Sequence, residues 1–250
     1  MILAEPWAWA VLLVAGLIGG AINVIAGGGS IITVPMMIFL GVPGPIANGT
    51  NRVAILAQNI AAISTFKRHK RYDYKLAISL SCCALPGALL GAWVGTNLGG
   101  ERFNQILAVI MVGVLIYMQF GQAGNQPATQ EPKRLVLGHA LMVLAGFWGG
   151  FIQIGMGFIL MPILNRVMGL DLVSTNLYKV FIVAVYTVGA LAVFAVAGEV
   201  FWFIGCVLAV GNSLGGYLGA KLTLARGDAL IRRVLTVAII AMVTKLLFFS

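Results

Sequence analysis

Long apolar runs alternate with short polar stretches along the whole chain. The apolar runs cover residues 7–26, 30–41, 45–66, 76–98, 103–121, 135–153, 158–169, 173–197, 200–222 and 229–249. Most of these runs approach or exceed the roughly 20 residues that a helix needs to cross about 30 Å of hydrocarbon. The pattern therefore predicts an all-α, polytopic membrane protein.

Two of the runs are too short to cross the membrane by themselves. As helices, Ser30–Leu40 and Phe158–Met168 would each rise about 16 Å, half of the hydrocarbon core. Each run follows a glycine-rich break, at residues 27–29 in the first case and 155–157 in the second. Such a segment either crosses as part of a broken helix or turns back as one arm of a re-entrant hairpin, and the sequence leaves both alternatives open.

The two breaks occupy matching places in an internal repeat. The glycines recur in the same order at a nearly constant shift: Gly16, Gly19 and Gly20 match Gly146, Gly149 and Gly150, and Gly87, Gly91 and Gly95 match Gly211, Gly215 and Gly219. The pattern predicts a first repeat at residues 1–121, a cytoplasmic linker at 122–134 and a second repeat at 135–250. Each repeat holds a broken or re-entrant hairpin plus three transmembrane helices. The number of passes per repeat is odd under either alternative, so we expect the two repeats to be inverted.

Composition and charge support a membrane location. Hydrophobic residues make up 60% of the chain and charged residues only 9%, against about 25% charged in soluble domains. The net charge of +9 is concentrated near the ends of apolar runs, with five basic residues between Lys67 and Lys75. This distribution favours topology-setting charge over nucleic-acid binding. The positive-inside rule places that loop in the cytoplasm and both termini outside the inner membrane.

No catalytic or metal-binding motif is recognisable in the sequence. The three cysteines have no metal-ligand or redox spacing, and the chain has no Walker loop and no HExxH motif. No apolar segment carries a central Asp or Glu, so a proton relay through buried carboxylates is not indicated. We therefore expect a protein that is not an enzyme and that binds no metal or cofactor.

The candidate chemistry lies at the two breaks and in the runs that follow them. A helix that begins inside the membrane presents free N–H groups and partial positive charge, which suit an anion. Thr-Asn pairs and a cation follow each break, and these groups could supply further donors to an oxyanion. The candidate substrate-binding residues are Asn23, Gly28, Gly29, Ser30, Thr50, Asn51, Arg52, Gln153, Gly155, Gly157, Thr175, Asn176 and Lys179.

Structural alternatives exist for each of these groups. The glycines could serve only close helix packing. Thr and Asn could cap a helix, and the two cations could extend their charged ends to a nearby membrane interface. Asn23 and Gln153 could satisfy the broken backbone locally instead of contacting a ligand.

The residues around the breaks resemble those of the TauE/SafE family of sulfite exporters. In the first half the resemblance rests on GLIGGAINVIAGGGS at 16–30, Val34-Pro35 and ANGTN at 47–51. In the second half it rests on GFWGGFIQIGMG at 146–157, Met161-Pro162 and STN at 174–176. The second break has Gly155-Met156-Gly157 where the first has three glycines, so it is open whether the halves contribute equally to a site.

The resemblance implies export of small sulfur oxyanions, such as sulfite or organosulfonates like sulfoacetate. We therefore expect a secondary transporter that works by alternating access, with the anion near the midplane of the bilayer. An anion channel, or a permease for another small anion, is the alternative. The expected partners are the anion and the lipid bilayer; a homodimer is a possible assembly, and nucleic acid is not expected.

Overall fold

The computed structural model describes residues 5–66, 73–120 and 132–248, with side chains described except at 111, 114–120 and 226–248. Within these residues every regular element is helical, which confirms the predicted all-α class. The helices are α1 (Pro6–Ala26), α2 (Ser30–Phe39), α3 (Gly44–Phe66), α4 (Tyr74–Thr96), α5 (Gly100–Phe120), α6 (Leu135–Phe151), α7 (Met156–Pro162), α8 (Leu172–Val196) and α9 (Trp202–Phe248). A π-helical turn, Ile163–Val167, continues α7 beyond Pro162.

Among the described residues, four helical segments are long and apolar enough to span a membrane: Pro6–Ala26, Tyr74–Thr96, Leu172–Val196 and Trp202–Ala225. Helix α3 has similar length, 23 residues, but its polar side chains are buried inside the protein. The solvent exposure is the reverse of that in a soluble protein, since Arg52 is 0% exposed and Val196 is 91% exposed. The chain is therefore a multi-pass membrane protein whose apolar side chains face lipid.

Both short segments turn back along the helix that precedes them. Gly29, at the start of α2, lies against Gly19 of α1 so closely that a Cβ there would collide with the Gly19 carbonyl oxygen. At the far end of the second short segment, the Met168 carbonyl accepts a hydrogen bond from the Lys133 N–H, just before α6 begins (2.9 Å). Each half therefore contains a helical hairpin with one short arm. The first short helix begins at Ser30 as predicted, and the second begins at Met156, two residues earlier than Phe158.

The two halves exchange helices. Helix α4 from the first half packs mainly on α6 and α8 of the second half, and α9 from the second half packs mainly on α1 and α3. One apolar core accordingly lies among α4, α6, α7 and α8, and another lies among α1, α2, α3, α5 and α9. Helices α1 and α6 hold matching places in the two repeats, and so do α4 and α9. The α1–α9 and α6–α4 pairs are therefore equivalent, as a repeat requires. The inverted orientation of the repeats stays a prediction.

Glycines allow the exchanged helices to touch backbone to backbone. On α4, a Cβ at Gly87 or Gly91 would collide with carbonyl oxygens of α6, and α6 has Gly146 and Gly150 at the same interface. The α1–α9 interface is built in the same way from Gly16, Gly20, Gly211 and Gly215. In lipid there is little hydrophobic drive between helices, so this close approach is a main source of their association.

The C-terminal part of the chain differs from the expected arrangement. The runs at 200–222 and 229–249 form one continuous helix, α9, instead of two helices. In the first half, Asn97 caps the end of α4, and Gly99 and Gly100 stand where α5 begins. No such pair of glycines stands between the two C-terminal runs, and nothing in the local sequence forces the helix to stop. The second half thus has a hairpin and two helices, not a hairpin and three.

We expect Gly91→Ala to lower the free energy of unfolding by about 1–3 kcal/mol, because the added methyl group forces α4 away from α6. The measurement is thermal or denaturant-induced unfolding in detergent. Gly113→Ala on α5 is the matched control, because a Cβ there meets nothing within 4 Å. Equal stability of the two variants would contradict the close-packing argument.

Candidate functional site

The two glycine breaks touch each other in the centre of the protein. Gly27 ends α1 in the left-handed conformation (φ 84°), and Gly155 precedes α7 in the same conformation (φ 71°). The Gly157 N–H donates a hydrogen bond to the Gly27 carbonyl oxygen at 3.1 Å. A Cβ on either Gly27 or Gly157 would collide with the backbone of the other. Both positions therefore require glycine, and the two hairpins cross at this contact.

Arg52 of α3 binds the carbonyl end of α6. Its Nη1 donates to the Gly149 carbonyl oxygen at 3.0 Å and to Gln153 Oε1 at 3.3 Å, and its Nη2 donates to the Gly150 carbonyl oxygen. The ring of Phe194 covers the guanidinium at 4.4 Å. The last carbonyls of a helix have no partner in their own helix, so Arg52 satisfies groups that lipid could not.

Lys179 of α8 binds the carbonyl end of α1 in the same manner. Its Nζ donates to the carbonyl oxygens of Asn23 at 3.1 Å and Val24 at 2.8 Å. The third ammonium hydrogen goes to Asn176 Oδ1 at 2.6 Å. Each buried cation thus comes from one half and holds the interrupted helix of the other half. Neither cation has a carboxylate among its hydrogen-bond partners in the described part of the chain.

The two asparagines of the Thr-Asn pairs also bond to the protein at the breaks. Asn51 accepts a hydrogen bond from Thr33 Oγ1 at 2.8 Å and donates to Ser30 Oγ at 3.3 Å, so it holds the first turn of α2. Asn176 Nδ2 donates to the Ile25 carbonyl oxygen at 3.1 Å, so it holds the last turn of α1. Both amides fix the interrupted backbone, which is the local use that polar side chains often have in membrane helices.

A small pocket lies beside the contact between the two breaks. We call it the crossing pocket, and it is lined by Asn23, Gly27, Asn59, Gln153, Met156, Gly157, Lys179 and Val183. It is narrow, with room for about one water molecule. Its cationic wall is Lys179, which is 3% exposed. A pocket with a buried positive charge and amide groups suits a small anion.

The structure places the predicted site residues in two groups. Four of them line the crossing pocket: Asn23, Gln153, Gly157 and Lys179. The others surround the breaks without lining it: Gly28, Gly29, Ser30, Thr50, Asn51, Arg52, Gly155, Thr175 and Asn176. Thr50 points towards the loop before α9, where its Oγ1 accepts the Phe201 N–H at 2.9 Å.

Sequence reasoning missed Asn59, which lines the crossing pocket from α3. A signal for it was present, because Asn59 follows Arg52 by seven residues and therefore lies on nearly the same face of the helix. Val183, which lies four residues after Lys179, was missed although the same periodicity points to it. Met156 and Gly27 were the remaining omissions, both within the breaks themselves.

Comparison with known proteins agrees with this architecture. The family model described as "Sulfite exporter TauE/SafE" matches residues 12–246. The chain belongs to the TauE/SafE family. It is 30% identical to "Probable membrane transporter protein ORF9" of a Sinorhizobium species, over 95% of this chain and 92% of that one. It is 27% identical to "Probable membrane transporter protein YfcA" of Escherichia coli K12, over 100% of this chain and 93% of that one.

A more distant TauE/SafE relative gives the same result. "Probable membrane transporter protein YunE" of Bacillus subtilis is 22% identical, over 95% of this chain and 97% of that one. No solved structure matches the chain. The names of these relatives describe membrane transport without a cargo. This TauE/SafE protein is thus related to membrane transporters along its whole length.

We expect Arg52→Leu to lower the free energy of unfolding by about 3 kcal/mol, because it leaves at least two buried carbonyls of α6 without a donor. Unfolding in detergent, followed by the loss of helical signal, measures this change. Arg166→Leu is the control, since Arg166 is an exposed arginine at the edge of the second hairpin. If the two variants lose the same amount of stability, Arg52 does not hold α6.

Proposed function

We propose that this protein is a secondary transporter that exports small sulfur-containing oxyanions, such as sulfite or an organosulfonate like sulfoacetate, across the inner membrane. The anion binds in the crossing pocket, and the protein exposes that pocket to the two sides of the membrane in turn. The description of the family as sulfite exporters supports the cargo class, and the buried cation and amide groups of the crossing pocket support an anion as the cargo.

The observation that carries this proposal is the buried charge of Lys179. A charged group inside a membrane protein is costly, and such groups usually pair with an opposite charge or mark the path of a substrate. The described residues provide no carboxylate partner for Lys179, which is bound to two carbonyls and one amide. An anion in the crossing pocket would supply the missing negative charge.

The amides of Asn51 and Asn176 have a supporting role in this proposal. Each one fixes the backbone at one break, and Asn176 also orients the Lys179 ammonium through its Oδ1. The two hairpins then form opposite walls of the crossing pocket. Movement of one hairpin relative to the other would open the pocket to one side while the other side stays closed.

The proposed orientation follows from the distribution of basic residues. The loop between α3 and α4 carries the densest cluster of lysine and arginine and lies in the cytoplasm under the positive-inside rule. The N-terminus then faces outside, as predicted, whereas α9 as one crossing in place of two leaves the C-terminus in the cytoplasm. Export requires the anion to enter the crossing pocket from the cytoplasmic side and to leave on the other side.

Sulfite efflux from proteoliposomes tests the function directly. Vesicles that contain the purified protein and internal sulfite should release it faster than protein-free vesicles, and the rate should saturate as the internal concentration rises. Sulfoacetate serves as the organosulfonate in a parallel experiment. A rate that rises without saturation would indicate a channel instead of a transporter. If neither anion leaves faster than from protein-free vesicles, the proposed cargo is wrong.

We expect Lys179→Met to reduce sulfite efflux at least tenfold, because the anion loses the attraction of a nearby positive charge, and tenfold corresponds to only about 1.4 kcal/mol of about 4 kcal/mol available to a charge pair near a protein surface. The measurement is the initial rate in the same vesicles, with the amount of inserted, folded protein determined in parallel. Lys221→Met is the matched control, since Lys221 is an exposed lysine on α9. A folded Lys179→Met protein with the efflux rate of the original would refute the proposed binding site.

A further inference from the structure

Asn59 stands out among the residues of the crossing pocket because its amide nitrogen has no partner. The side chain is 2% exposed, and Nδ2 makes no hydrogen bond to any described residue. The Gln153 amide and the Lys179 ammonium, which also line the pocket, are engaged with protein groups. Gln153, for example, accepts from Arg52 and donates to Thr187 Oγ1 at 3.3 Å. An unpaired buried donor destabilises a protein, and native structures contain few of them.

Lys179 cannot supply the donor that an anion in this pocket requires. An ammonium group has three hydrogens, and all three are used on Asn23, Val24 and Asn176. Lys179 therefore provides positive potential without a free hydrogen bond. Asn59 provides the opposite combination, a free N–H group without charge, and it lines the same pocket.

We propose that Asn59 Nδ2 donates a hydrogen bond to an oxygen of the transported anion and thereby selects oxyanions in the crossing pocket. This inference rests on the proposed function. In this arrangement, the positive charge of Lys179 makes the pocket accept a negatively charged cargo, and Asn59 recognises an acceptor atom on that cargo. The donor is unpaired in the empty protein because its partner arrives with the substrate.

This arrangement predicts opposite effects of one substitution on stability and on transport. Leucine has the same branched shape and number of heavy atoms as asparagine and carries no polar group, so Asn59→Leu removes an unpaired donor without breaking a hydrogen bond within the protein. The melting temperature of the empty protein in detergent should stay the same or rise. The sulfite concentration for half-maximal efflux should increase about tenfold, which is the effect of losing one hydrogen bond to a charged group.

The neighbouring Gln58 provides a matched control on the same helix. Its Nε2 is also buried and unpaired, but Gln58 does not line the crossing pocket, and its Oε1 accepts from Asn212 Nδ2 at 3.1 Å. Gln58→Leu should therefore lower the melting temperature, because it leaves the Asn212 amide without an acceptor. Its half-maximal sulfite concentration should stay at the original value.

A second variant keeps the test decisive if Asn59→Leu folds poorly. Asn59→Asp has almost the same shape, but it replaces the donor with an acceptor and places a negative charge in the pocket with Lys179. The thermal stabilisation that added sulfite gives to the original protein should disappear in this variant. If the variant retains that stabilisation, Asn59 does not contact the anion.

The outcomes separate the inference from the function on which it rests. Saturable sulfite efflux by the original protein, together with an unchanged half-maximal concentration in Asn59→Leu, would overturn the role of Asn59 and leave the function standing. Stabilisation of Asn59→Asp by added sulfite, equal to that of the original protein, would also overturn it. If the original protein shows no sulfite or sulfoacetate efflux and no stabilisation by either anion, both proposals fall.

Discussion

Unsatisfied carbonyl groups at the ends of interrupted helices are the constraint on which the rest of the structure depends. Helices α1 and α6 stop inside the protein, and the ends of their last turns carry partial negative charge. In several secondary transporters such ends coordinate a metal cation or a proton. Here the positive charge is covalently attached to the chain, as Lys179 at the end of α1 and Arg52 at the end of α6.

Arg52 and Lys179 also explain why the two halves cannot be independent structural units. Each interrupted helix receives its cation from the other half, so neither hairpin is complete within its own repeat. The exchange of α4 and α9 between the halves adds glycine-lined interfaces that hold the same pairs of helices together. Folding of one half therefore depends on the presence of the other. A motion that opens the crossing pocket must keep these interfaces, or replace them by equivalent ones.

Local signals predicted the breaks well, because glycine and segment length act within a few residues of the chain. The second short helix, for example, begins two residues before its predicted start at Phe158. The direction of the short segments was left open, since a crossing gives five passes per half and a hairpin gives three, and both numbers are odd. The partners of Arg52 were not predictable, because the Gly149 carbonyl that it binds lies 97 residues away and is brought there by tertiary packing alone.

The structure also explains how a repeated sequence can have a single asymmetric site. The two cations do not hold equivalent positions in the repeat: Thr50-Asn51 aligns with Thr175-Asn176, so Arg52 falls opposite Leu177 and Lys179 falls opposite Ala54. Arg52 is 0% exposed, covered by Phe194 and separated from the crossing pocket by Gln153.

Lys179, in contrast, forms part of the wall of the crossing pocket. The longer second break adds Gln153 in a left-handed conformation (φ 60°), an unusual backbone for a residue with a side chain. Gln153 Oε1 accepts from Arg52, and the residue lines the pocket that Lys179 also lines. Arg52 of the first half thus stabilises the fold and does not line the pocket. Lys179 of the second half lines the pocket, where the proposed anion would neutralise its charge.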